Sequence, residues 1–142
     1  MNTLNNSSKT GKPPRIGYRV LSAILGVITL LTFGTDRYLY ETAGQSLGEL
    51  PAIIMGGVLF VVGVGSFYAS LDGHDIKTAI LISMGPVGGL FVYLLGYHRF
   101  LPPSTDSPTS LIFLAFAGAL LVIGTGAHFF GLFLRSVRTI LQ

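Results

Sequence analysis

The sequence predicts an all-α membrane protein: a four-transmembrane-helix bundle built from two tandem, parallel two-helix hairpin repeats. Three observations lead there. Half of the 142 residues are hydrophobic and only 11% are charged, whereas a soluble domain carries about 25% charged residues. Mean hydropathy is correspondingly high, at +0.67. Four apolar runs, separated by short polar connections, approach or exceed the length needed to cross a ~30 Å hydrocarbon layer. Finally, the stretch 57–71, GVLFVVGVGSFYASL, returns 61 positions later as 118–132, GALLVIGTGAHFFGL.

The repeat match sets Gly57 on Gly118, Leu59 on Leu120, Val61 on Val122, Gly63 on Gly124, Gly65 on Gly126 and Leu71 on Leu132. A second match pairs 34–39, GTDRYL, with 96–101, GYHRFL, 62 residues later. The expected unit is a two-span hairpin of about 60 residues, used twice. Both copies start on one side of the membrane, which implies an axis along the membrane normal.

Residues 1–15 are polar and basic, without apolar periodicity. They read as a flexible tail. Lys9, Lys12, Arg15 and Arg19 precede an uncharged run from Val20 to Thr35. That run lacks a small-x-small cleavage pattern and reads as a retained span. Its 16 residues cover roughly 24 Å, so Tyr18 and Arg19 are expected to complete it, Arg19 snorkelling to the headgroups. The first hairpin then occupies 16–75, with helices at about 18–35 and 51–71. Between them, 36–50 reads as a polar connection, in which Tyr38 and Tyr40 suit an interfacial belt. Ser46 and Glu49 have capping-box spacing, and Pro51 fits a first helical turn. Asp72-Gly73-His74-Asp75 reads as a tight turn, with Asp75 as the cap of the next helix.

The second hairpin occupies 76–142, with helices at about 77–98 and 107–134. Pro86 removes a backbone hydrogen bond and crowds the Ile82 carbonyl, which predicts a kink. Pro102 and Pro103 mark the next connection, and Ser107-Pro108 opens the fourth run. Its 28 residues without Asp, Glu, Lys or Arg leave room for tilt. Four spans put both ends of the chain on one side. Lys9, Lys12, Arg15, Arg19, Lys77, Arg135 and Arg138 share that side, against Arg37 and Arg99 on the other. The positive-inside rule therefore places both termini in the cytoplasm, or in the interior if the membrane is a viral envelope.

Lipid gives helices no hydrophobic reason to associate, so close approach at small residues must hold them. Gly85 and Gly89 form a small-xxx-small pair, with Gly96 further along that face. Gly56 and Gly63 share a face, Gly65 pairs with Ala69, and Ala117, Gly124 and Gly131 recur every seven residues. These positions are expected to pack helix on helix, within the bundle or between copies.

No Asp, Glu, Lys or Arg lies well inside an apolar run. Buried intramembrane charges cost at least ~2.5 kcal/mol each and usually mark ion paths or relays. The pattern argues against a proton-coupled pump and against the carboxylate pairs and triads of enzymes. No catalytic residue, metal site or cofactor is predicted. The sequence has no cysteine, which excludes disulfides and thiolate chemistry. His128 is the ionisable group inside the fourth run. It reads either as a neutral imidazole bonded across the bundle, or, with His74 on the same side, as a haem or metal ligand. Arg37 and Arg99 read as lipid anchors beside aromatic neighbours, or as recognition of an anionic headgroup or acidic loop. Arg19, Arg135 and Arg138 supply equivalent anchors on the other side, for anionic lipid or a partner. The basic tail has few charges and no interleaved aromatics, which argues against a nucleic-acid partner.

The expected function is non-enzymatic: a structural or assembly component, or a small subunit, of a membrane complex in a cell membrane or viral envelope. It would be oligomeric, in contact with the bilayer and with itself or other membrane subunits. One alternative is a small transporter or channel, with Thr29, Thr32, Ser66, Ser70 and Thr125 along a narrow path. Another is a haem-bearing accessory subunit.

Overall fold

Each apolar run is one helix in the computed structural model of the chain, which describes residues 16–100 and 109–141. In order they are α1 (Ile16–Ala43), α2 (Leu50–Leu71), α3 (Ile76–Phe100) and α4 (Thr109–Ile140). All four are long and apolar enough to cross a membrane. The chain is an integral membrane protein, an all-α bundle of four helices. The expected tail at 1–15, the Pro102-Pro103 connection and the Ser107-Pro108 helix opening lie outside the described residues.

Burial runs opposite to that of a water-soluble domain. Thr29, Ser66, Ser70, Ser83 and His128 are fully or almost fully buried, while Phe60, Leu114 and Val122 are each about 70% exposed. Such a surface is stable only in lipid, where apolar side chains cost nothing outside and small polar ones pack inside. The stripe on α2 illustrates the sorting. Met55, Val58, Val62, Ser66, Ala69 and Ser70 are its buried residues, spaced on the ~3.6-residue helical period.

Several helix ends differ from expectation. α1 continues to Ala43 rather than stopping near 35. Nothing in 36–43 breaks a helix, and an Arg37–Glu41 ion pair at 2.7 Å, one turn apart, supports it. The stop is Gly44, with φ +65°, whose N–H donates to the Tyr40 carbonyl. Glycine reaches this left-handed cap without strain. The capping box expected from Ser46 does not form. Glu49 is the N-cap of α2 and makes no side-chain cap bond, while Ser46 Oγ accepts from Gly48 N. Asp36 Oδ1 accepts from Leu47 N at 2.7 Å, which ties this connection back onto α1.

At the other end, Asp75 Oδ1 accepts from the Thr78 hydroxyl at 3.3 Å, just before α3 begins. α3 starts one residue earlier and ends two residues later than the expected 77–98. It runs through Pro86 as one helix, with the proline ring fully buried. The residue before a proline is normally pushed out of helical geometry by its own Cβ; here that residue is Gly85, which has none. α4 continues past Leu134 to Ile140, so Arg135 and Arg138 belong to the helix rather than to an end beyond it. Cations in a last turn suit the helix dipole.

Helices adjacent in sequence are not the closest in space. α1 packs most extensively along α3, and α2 along α4; α1 touches α2 only lightly. The two hairpins are therefore interleaved. α2 also packs along α3, whereas α1 and α4 lie further apart and touch through the Phe33 and Phe113 rings, edge to face at 5.2 Å. A two-fold relating the hairpins would exchange those two contacts, so the helix arrangement departs from that symmetry.

Candidate functional site

The polar interior of the bundle centres on one face of α4. Gly124, His128 and Gly131 lie four and then three residues apart, so they share a face. All three are buried. α2 and α3 place serines against this face. A methyl group at Gly124 would collide with Ser83 Oγ and lie 3.4 Å from Ser66 Oγ. One at Gly131 would lie 2.7 Å from Ser70 Oγ. The missing glycine side chains are what admit these hydroxyls.

Ser83 is satisfied, its hydroxyl donating to the Ala79 carbonyl at 3.0 Å. Ser66 Oγ, Ser70 Oγ and His128 Nδ1 are buried without a hydrogen-bond partner among the described residues. A buried polar atom left in that state costs ~1–3 kcal/mol. Hydroxyls and an imidazole can each donate and accept, so such a setting suits a small polar species. His74 Nε2 is a fourth such atom. His74 sits in the turn between α2 and α3, edge-on to the Tyr18 ring at 5.0 Å. The Tyr18 hydroxyl donates to Asp72 Oδ2 at 3.1 Å. Arg135 reaches the same turn, its Nη1 2.8 Å from where a Cβ of Gly73 would be. The start of α1, the α2–α3 turn and the end of α4 thus meet on one side of the molecule.

The predicted packing glycines divide. Gly85 and Gly89 make the closest approaches: a Cβ there would strike the backbone carbonyls of Ser22 and Gly26 on α1. A Cβ at Gly63 would lie 3.3 Å from the Ile123 side chain, and one at Gly65 would lie 3.2 Å from Leu21. Gly56 and Gly96 meet nothing within 4 Å. Gly56 is exposed and Gly96 half-buried, and neither packs against another helix among the described residues.

The predicted anchors divide too. Arg37 is paired with Glu41 on its own helix and lies 5.4 Å from the Tyr40 ring centroid. Arg99 falls in the last turn of α3, and its side chain lies outside the described residues. Arg19 and Arg138 are exposed. No group of three or more His, Cys, Asp or Glu that could hold a metal ion occurs among the described residues.

Residue-type reasoning missed Ser22 and Gly26. They form a small-xxx-small pair on α1 facing Gly85 and Gly89, and the spacing alone could have revealed them. The Ser22 hydroxyl also donates to the Leu81 carbonyl at 2.7 Å, an interhelical bond. Comparison with protein-family models, with characterised proteins and with solved structures finds no match.

Proposed function

We propose that this chain is a non-enzymatic structural or assembly subunit of a membrane complex, present in several copies or beside other membrane subunits. The observation that carries this is the set of glycines on its outer surface. A Cβ added at Gly56 or Gly57 on α2, Gly96 on α3, or Gly118 or Gly126 on α4 would meet no neighbouring side chain or other helix within 4 Å among the described residues. A side-chain-free patch facing lipid is where a neighbouring helix can approach most closely. By the charge tally, the termini face the cytoplasm or a virion interior. The sequence match between 57–71 and 118–132 supports descent from a duplicated hairpin whose copies have since packed unequally.

The test is the subunit composition and copy number of the full chain extracted in mild detergent. A defined oligomer or a mixed complex is expected, and Gly118→Leu together with Gly126→Leu should weaken it. A lone monomer, unchanged by those substitutions, overturns the proposal.

One observation favours a second reading, transport of a small polar solute: the unpartnered Ser66, Ser70 and His128 inside the bundle. Reconstituted liposomes separate the two. Selective flux above empty vesicles, lost in Ser66→Ala with Ser70→Ala, supports transport; leakage equal to empty vesicles removes it.

A further inference from the structure

We propose that the seam between α1 and α3 is a binding site for one anionic phospholipid, in the leaflet on the side of the chain termini. Its phosphate would sit at Arg19 and Lys77, and one acyl chain would lie in the furrow beyond.

Two adjoining features make up the site. The first is a pocket of about 220 Å³ lined by Arg19, Asp75, Lys77, Thr78 and Leu81. Arg19 and Lys77 are exposed, and neither forms an ion pair or hydrogen bond among the described residues. Asp75 is the opposing charge, and it accepts from the Thr78 hydroxyl. Among the described lining residues, two cations stand against one carboxylate, which leaves the pocket positive. Basic pockets between transmembrane helices at a membrane face suit phospholipid headgroups.

The second is an apolar furrow of about 340 Å³, floored by Gly26, Gly85, Gly88 and Gly89 and walled by Leu30 and Met84. Its origin is the close backbone approach of α1 and α3 at Gly85 and Gly89, which brings the helices together where no side chain fills the surface. α1 and α3 are parallel, so pocket and furrow continue along one seam. Arg19 is one turn before Ala23, and Lys77 is one turn before Leu81. From Arg19 to Leu30, and from Lys77 to Gly88, the seam runs ~16 Å. Half of a ~30 Å hydrocarbon layer is about the same. A headgroup held at the pocket therefore leaves its chain in the furrow for the depth of one leaflet. The furrow faces the bilayer, whose acyl chains are the matching apolar occupant. The charged pocket then selects among lipids. The site needs only the membrane-spanning fold, and stands whether the chain assembles or conducts.

The test uses the purified full chain in mild detergent, titrated with phosphatidylglycerol or with phosphatidylcholine of the same acyl chains. Bound lipid is counted by native mass spectrometry. Phosphatidylglycerol should bind at least tenfold more tightly, at one molecule per chain. Arg19→Gln with Lys77→Gln keeps the stems at exposed positions and should abolish that preference while phosphatidylcholine binding stays unchanged. Gly88→Leu fills the furrow where a Cβ meets nothing within 4 Å, and should reduce binding of both lipids severalfold. Equal binding of the two lipids overturns the site, as does a preference that survives the double substitution. Inorganic phosphate competing as well as the lipid would make it a phosphate site and refute the lipid. Dissociation of an oligomer by Gly88→Leu, with lipid binding unchanged, would assign the furrow to a second copy instead.

Discussion

A single methyl group tests the α1–α3 contact. At Gly85 it would strike the Ser22 carbonyl, which is backbone and cannot swing away. Gly85→Ala should cost ~1–3 kcal/mol, the usual price of overpacking. Gly34→Ala, where an added Cβ meets no neighbouring side chain or other helix among the described residues, should stay within ~0.5 kcal/mol of the wild type. Denaturation of the detergent-solubilised protein compares them directly, and equal losses would mean that α1 and α3 are not in backbone contact. A hydroxyl makes a parallel contrast. Ser22→Ala removes an interhelical bond to the Leu81 carbonyl and should cost ~0.5–1.5 kcal/mol. Ser66→Ala removes a buried hydroxyl with no partner among the described residues, so its expected cost is close to zero. The same assay reads both.

At the scale of elements, lengths are set by stops rather than by hydropathy. α1 passes Asp36, Arg37 and Glu41, because charged residues are tolerated in a helix that emerges from lipid, and ends only at Gly44. Gly44→Ala forces a side chain into the left-handed region, costing ~1–2 kcal/mol. The loss should be local: faster amide hydrogen exchange at the end of α1, with α3 unaffected. α3 shows the converse case. A proline normally interrupts a helix, yet Gly85 before Pro86 removes one of the two clashes that would force a break.

At the scale of the molecule, the main helix contacts run between the hairpins, α1 with α3 and α2 with α4. A hairpin alone lacks its principal partners. Expressed by itself, the fragment 1–75 should be protease-sensitive in detergent. Co-expressed with 76–142, it should be recovered with it in equal amounts through a tag on either half. A protease-resistant 1–75 fragment would show that the light α1–α2 contact suffices after all. The unequal contacts of α2–α3 and α1–α4 also mean that the likeness between 57–71 and 118–132 is not matched by a symmetric helix arrangement.

What the sequence alone determined is the solvent of the fold and the number of crossings. Both follow from composition and run length: Phe60, Val122 and their neighbours cannot face water in such number, and each run is about one bilayer long. The small-residue pairs Gly85-xxx-Gly89 and Gly124/Gly131 were legible for the same reason, since spacing fixes a helical face. Tertiary structure decided which glycines are notches and which are open. Gly63 and Gly56 lie on one stripe by periodicity, yet a Cβ on the first would press on Ile123 and one on the second would meet no neighbouring side chain or other helix among the described residues. Only it set Ser66, Ser70 and Ser83 around His128's face of α4, and Arg19 beside Lys77 at the mouth of a furrow. The physical reason is that a helix face is a local property of the chain, whereas the partner of that face depends on which helices pack together. In a hydrophobic solvent that choice rests on shape complementarity between distant segments, which no single stretch of sequence contains.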